Sequence, residues 1–342
     1  MPHDPMTDAH AQLRSVLRQY AGVFAAFALL GVVAAARLST GVAPTRDGDE
    51  IVVCGEYVDI GTPVVLWHDP GGYDAYSELP RFSTPELDAA GVPVRKRRYA
   101  ERRPAAVELA AEVAEAGWSR KRLAQHVDQF VIHFDVCGTA RRCFEILQDK
   151  RALSVHFMLD VDGTIYQTLD LKERAWHATV ANDRAVGIEI AHIGAYPAPG
   201  HPVMRSWYRK DGEELRIAFP GVKETGIRTP GFVARPATTT LYEGEINGDR
   251  IWMHDFTKEQ HAALAKLTAA LARVFPKLAL DVPRDAEGVP LRRALDPTEF
   301  AAWRGVLGHY HVQPNKNDPG PALDWERLLR EARAEHERAA RR

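Results

Sequence analysis

The sequence predicts an α/β protein with a small β appendage ahead of its main domain and an insertion within that domain. Three observations carry this. Short β-branched and aromatic runs recur at Gln129–Phe134, Ser154–Leu159, Thr164–Thr168 and Ala185–Ile190. Stretches with helical character stand on either side of them, at Ala105–Ala116 and from Thr257 to about Phe275. The chain has 342 residues, 45% of them hydrophobic, which suits one main domain with appendages rather than two equal domains. A formal charge of -2 and a pI near 6.7 leave no electrostatic footprint for nucleic acid.

The elements follow in order. Arg14 and Arg18 precede the uncharged run Ala21–Ala36, and Arg37 closes it. The run holds 16 residues, short of the roughly 20 that span a bilayer comfortably, and Ala34, Ala35 and Ala36 offer small side chains to a signal peptidase. Residues 1–37 are therefore expected to be a signal peptide, with membrane attachment through residues 21–36 as the alternative. Residues 38–104 read as a linker and the appendage. Ile51–Val53 and Pro63–Trp67, separated by Gly61 and closed by Pro70, Gly71 and Gly72, are expected to pair as a hairpin. Arg95–Arg98 with Arg102 and Arg103 reads as a solvated basic face, with attraction to anionic wall polymers or lipid headgroups as the alternative.

Residues 105–342 form the main domain. Pro104 opens a helix that Gly117 stops, and a second helical turn runs over Ser119–His126. Gln129–Phe134 is expected to be a buried strand with His133 near its carboxyl end. Thr139 caps a helix reaching Gln148. Asp162-Gly163 suits a tight turn between the next two strands. Residues from about 196 to 255, rich in Pro, Gly and Thr, read as the insertion, with strand-like runs such as Leu215–Phe219. Thr257 and Gln260 make a capping box for an amphipathic helix in which Ala263, Leu264, Leu267, Leu271 and Val274 keep helical spacing. Asp296-Pro297 starts a short helix, Gly305–His311 is a strand or strand end, and Ala322 to about Arg341 is a charged terminal helix.

Two imidazoles, a carboxylate and an ammonium come from distant points of the chain. His133, His309 and Asp318 suffice as ligands for a hydrolytic zinc site, which leaves its fourth position to water. Lys316 is then free to stabilise a developing oxyanion. His311, two residues from His309, competes for the metal if that segment is extended; His156 and His192 read as structural. Glu189 on an alternating strand could simply face solvent. Cys137 and Cys143 stand six apart and could close a local disulfide under oxidising conditions or remain buried thiols, while Cys54 is left odd.

Taken together, Val131–His133, His156, Asp162–Thr164, Ala175–Ala178, Val186–Glu189 and Gly308-His309 leading to Lys316–Gly320 resemble the zinc-dependent N-acetylmuramoyl-L-alanine amidases. That family type is shared by phage lysozyme-like amidases, bacterial muropeptide amidases and peptidoglycan recognition proteins. The resemblance spans roughly Val127 to Trp325. It implies a central mixed sheet flanked by helices, presenting one Zn2+ per chain in a surface groove to peptidoglycan or muropeptides. By motif, His133, His309 and Asp318 would be the ligands, Glu189 the general base, Lys316 a catalytic cation and His177 a neighbour of the substrate. Val155 replaces the tyrosine of phage lysozyme-like members, which leaves proton transfer to Glu189. The spacing of Cys137 and Cys143 is similar to the disulfide of the recognition proteins and implies an exported protein in the periplasm or cell envelope. The expected activity is hydrolysis of the amide between N-acetylmuramic acid and L-alanine. A non-catalytic peptidoglycan receptor, or a lysin or toxin aimed at foreign walls, is the alternative.

Overall fold

The computed structural model describes residues 46–341, so the segment expected to act in export or membrane attachment lies outside the described residues. Strands β1 (Glu50–Val53) and β2 (Glu56–Asp59) pair with each other, while β3 (Val64–Leu66) runs parallel to a strand of the main sheet. The expected hairpin between Ile51–Val53 and Pro63–Trp67 is therefore not formed. Cys54 and Gly55 both take positive φ (52° and 79°), the left-handed pair that a two-residue hairpin turn requires, so the local turn captures the first strand.

Next come β4 (Tyr99–Glu101), α1 (Val107–Ala116), α2 (Arg120–Leu123), β5 (Gln129–Phe134) and α3 (Ala140–Glu145), which continues as a wider turn over Ile146–Arg151. They are followed by β6 (Phe157–Leu159), β7 (Ile165–Gln167), β8 (Glu173–Ala175) and β9 (Ala185–Ile190). The insertion holds α4 (Pro202–Trp207), β10 (Tyr208–Asp211), β11 (Glu214–Ile217), β12 (Leu241–Ile246) and β13 (Asp249–His254). The chain returns through α5 (Lys258–Val274), α6 (Pro297–Ala302), β14 (Gly305–Gly308), α7 (His309–Val312) and α8 (Trp325–Ala340).

Six strands make a mixed sheet in the order β14-β5-β9-β6-β7-β3. The first four run parallel, and β7 turns back against β6. Phe130, Ile132, Phe134, Val186, Ile188 and Ile190 share one core with Leu264, Leu267 and Leu271 of α5 and with Leu328 and Leu329 of α8. Strand alternation then sends Val131, His133, Gly187 and Glu189 to the opposite face. Thr257 and Gln260 close the capping box of α5 as expected. Among the described residues no helix is long and apolar enough to cross a membrane.

The basic cluster divides. Arg98 and Arg102 are each only 2% exposed, whereas Arg95, Lys96, Arg97 and Arg103 face solvent. Arg98 donates to the carbonyls of Gln148 (2.7 Å) and Ser77 (2.9 Å). Arg102 donates to those of Leu171, Asp183 and Ala185. Two guanidiniums thus satisfy carbonyls of loops, of the turn over Ile146–Arg151 and of the start of β9 that would otherwise be buried unpaired.

Asp160, at the end of β6, is fully buried; burial pushes its carboxyl up to about 8 against the hydrogen bond from Val161 N (2.9 Å). A carboxyl raised above its unfolded value stabilises the fold below about pH 4, and that contribution is lost as pH climbs toward 8. Asp160→Asn is expected to gain on the native chain by on the order of a few kcal/mol between pH 5 and pH 8. Urea unfolding at both pH values checks this; an unchanged difference would mean that the carboxyl titrates normally.

Candidate active site

Three neighbouring parallel strands, β14, β5 and β9, end at one edge of the sheet, where open α/β folds place their ligands. His133 is the penultimate residue of β5 and stands in register with Glu189 of β9. His309 follows directly on β14, and Asp318 closes the loop beyond α7. Tyr310 N donates to the carbonyl of Asp318 at 3.1 Å, folding that loop back on itself.

The structure brings the three expected ligands together. His133 Nδ1 lies 2.9 Å from both His309 Nδ1 and Asp318 Oδ2, and His309 Nδ1 lies 3.0 Å from Asp318 Oδ2. Their protonation follows from their other contacts. His309 Nε2 sits 2.8 Å from Gln313 Oε1, an acceptor, so Nε2 carries the hydrogen and Nδ1 is bare. His133 Nε2 faces His177 Nδ1 at 3.0 Å, and donation in that direction bares His133 Nδ1 as well. Burial and the neighbouring His309 lower the His133 pKa to about 4. Three buried lone-pair donors converging within 3.0 Å repel one another unless a cation lies among them. Two imidazoles and one carboxylate form a donor set of the kind that catalytic zinc accepts. The residues present therefore fit the metal.

Around this trio runs a groove of about 330 Å³, lined also by Glu189, Lys316, Trp176, Arg151 and Val136. Glu189 Oε2, His177 Nε2 and Trp176 Nε1 are buried without a protein partner, and buried polar atoms left so call for an explanation such as a ligand. Burial, with Asp318 and Asp135 nearby, pushes the Glu189 carboxyl well above its ordinary value, while Lys316 opposes this. His177 is fixed by Asn182, whose Oδ1 accepts from His177 N (3.1 Å) and Ala178 N (2.7 Å).

Gly187 explains how His177 reaches His133. A Cβ at 187 would lie 2.5 Å from the His177 ring, so only glycine lets the imidazole lie against the strand. Gly187→Ala is expected to displace His177, which also removes the partner of His133 Nε2, and so to lower kcat/KM by about 10- to 100-fold and weaken metal binding by about 10-fold. Rate assays beside metal analysis check it; an unchanged rate would detach His177 from the chemistry.

His311 does not compete for the metal. The segment expected to be a strand to His311 becomes a helical turn at His309, because Gly308 N donates to His311 Nδ1 (2.9 Å) and bends the chain. Its Nε2 donates instead to Leu291 O at 2.8 Å. His156 and His192 are likewise structural: their ring Nδ1 atoms accept from Gly187 N (3.1 Å) and Gly194 N (2.9 Å).

The expected disulfide is absent: Cys54, Cys137 and Cys143 are all free thiols. Cys137 Sγ donates to the carbonyl of Asp135 at 3.0 Å. A hydrogen bond with Cys137 and burial push the Cys143 thiol well up, keeping it in the protonated form that exchanges poorly.

Asp135 itself was not singled out by its sequence. Its Oδ1 accepts from Cys137 N, Gly138 N and His192 N, and burial raises its pKa to about 7 despite those bonds. The Asp-X-Cys-Gly order, with a short side chain able to bond two residues onward, is the local signal that could have found it.

Known structures with a related chain trace include the N-acetylmuramyl-L-alanine amidase AmiD from E. coli in complex with anhydro-N-acetylmuramic acid-L-Ala-D-gamma-Glu-L-Lys. It is 17% identical, with a TM-score of 0.35 over 72% of this chain and 65% of that one. The Staphylococcus aureus hydrolase AmiA in complex with its ligand is 11% identical, with a TM-score of 0.36 over 71% and 97%. Drosophila peptidoglycan recognition protein SD is 11% identical, with a TM-score of 0.33 over 77% and 90%. Among curated proteins none matches. The sequence profile of N-acetylmuramoyl-L-alanine amidase matches residues 123–321, more than half of the chain and with it His133, His309 and Asp318, and the chain belongs to that family.

Proposed function

We propose that the protein is a zinc-dependent hydrolase that cleaves the amide between the lactyl group of N-acetylmuramic acid and L-alanine in peptidoglycan or muropeptides. One observation carries this: three bare donor atoms within 3.0 Å of one another stand beside the buried, unpartnered Oε2 of Glu189. His133, His309 and Asp318 would hold the metal, which when bound supplies Lewis-acid polarisation and a more acidic water.

The chain's own groups do the rest. Glu189 Oε2 takes a proton from the attacking water as its oxygen bonds to the acyl carbon. Lys316, on the same groove, balances the charge that grows on the carbonyl oxygen. Glu189 then returns the proton to the leaving nitrogen as the carbon–nitrogen bond breaks, giving a lactyl carboxylate and a free stem peptide. His177 Nε2–H, unpartnered in the protein, donates to the substrate and orients it. An open groove suits a glycan polymer with peptide stems.

The basic-flanked run at residues 21–36 supports action outside the cytoplasmic membrane. Mass spectrometry of peptidoglycan after treatment tests the reaction. Free stem peptides beginning with L-alanine are expected from the metal-loaded protein and not after metal removal. Cuts within the glycan or between stem residues would assign a different bond, and tight binding without cleavage would make it a receptor.

A further inference from the structure

The insertion reaches back to the site through one side chain. Asn247 and Gly248 join β12 to β13 in a two-residue turn, with φ of 52° and 85°, conformations that asparagine and glycine tolerate better than other residues. Asn247 does not spend its amide on the turn. Its Nδ2 donates to the carbonyl of Lys316 at 2.8 Å, and more weakly to those of Tyr310 (3.3 Å) and Gln313 (3.4 Å). Its Oδ1 accepts from Ala294 N at 2.7 Å, and its backbone N donates to Arg292 O at 2.9 Å.

All three carbonyls belong to the loop that carries His309, Lys316 and Asp318. That loop makes few bonds of its own: Gln313 N to His309 O (3.1 Å), Lys316 N to Gln313 O (3.2 Å) and Tyr310 N to Asp318 O. Gln313 continues the chain of contacts, since its Oε1 accepts from His309 Nε2. A ligand's outer hydrogen bond fixes its ring and tautomer. One amide at the tip of the insertion therefore sets the backbone from which both the metal-facing imidazole and the ammonium project.

We propose that Asn247 is a positioning residue for hydrolysis: the insertion clamps the loop of residues 309–318 so that Lys316 and His309 face the groove in working geometry. This rests on the amidase reading of the site. Two variants test it. Asn247→Gly keeps the turn's left-handed backbone and removes the amide. Asn247→Asp keeps the turn and the acceptor for Ala294 N, but turns an anionic oxygen toward three carbonyls.

Both are compared with the native protein for stem-peptide release, zinc affinity by chelator competition, amide hydrogen exchange and thermal unfolding. The expected result is a kcat about 10-fold lower in Asn247→Gly and lower still in Asn247→Asp, with KM little changed. Zinc binding should weaken by about 10-fold, and exchange should quicken over residues 313–317. Should Asn247→Gly fail to fold, Asn247→Asp gives the same reading. Native kcat, zinc affinity and exchange in both variants would overturn the proposal. So would a loss of thermal stability with the other three quantities unmoved, because that marks a structural turn only. A native protein that releases no stem peptide would instead refute the amidase reading.

Discussion

Asp318→Ala is expected to yield a folded protein that loses its metal on dialysis and releases stem peptides at least about a thousandfold more slowly, the several kcal/mol that a Lewis acid supplies. Asp318 is the anionic member of the donor set, with Oδ2 3.0 Å or less from both imidazoles. Without it, His133 Nδ1 and His309 Nδ1 still face each other at 2.9 Å. One proton between them then relieves their repulsion, and any cation must displace that proton to bind. Metal analysis after dialysis, paired with the rate, checks the prediction. His192→Ala is the control that should keep its metal, since that ring bonds to Gly194 N and the carbonyl of His254, away from the trio. If Asp318→Ala kept both metal and rate, the donor set would be wrongly chosen.

How much of this was legible in the sequence depends on the range over which each feature is decided. Strands β5 and β9 are legible because each is a short apolar, β-branched run, and alternation alone puts His133 and Glu189 on one face together, the face opposite α5 and α8. That the two stand opposite each other in register is a tertiary fact no local pattern contains. That His133, His309 and Asp318 come together was legible through motif order rather than through physics. The end of β14 was misplaced because a side chain decides it: His311 Nδ1 accepts the Gly308 N–H and turns extended backbone into helix.

Arg98 and Arg102 show the same limit. A run of charges normally marks a solvated face, but here segments distant in sequence leave carbonyls in the interior, and guanidiniums answer them. The insertion is a different case. Asn247-Gly248 between two strand-like runs is a strong hairpin signal, and the reading of residues 196 to 255 as an insertion with short strand-like runs passed over it. Its grip on Tyr310, Gln313 and Lys316, 63 to 69 residues further on, would have stayed hidden even so.

Glu189→Gln separates proton transfer from metal binding, and kcat is expected to fall by about 10²- to 10⁴-fold with the zinc content intact. Glutamine keeps the shape of the side chain but cannot take a proton from water and return it to the leaving nitrogen. Glu189 is suited to that exchange because burial, with Asp318 and Asp135 nearby, raises its carboxyl well above the ordinary value, while Lys316 pulls the other way. A raised carboxyl is a stronger base once ionised, and it is neutral at lower pH. Native kcat/KM should therefore fall on the acid side as Glu189 takes up its proton, and the residual activity of Glu189→Gln should stay level across that range. The pH profile makes the test specific. A structural loss would scale both limbs together, whereas loss of the base removes one limb and leaves the other. If Glu189→Gln retained both rate and acid limb, the proton would have to pass through another group on the groove, and Asp135, raised to about 7 beside the same strands, is the carboxyl that would then have to carry it.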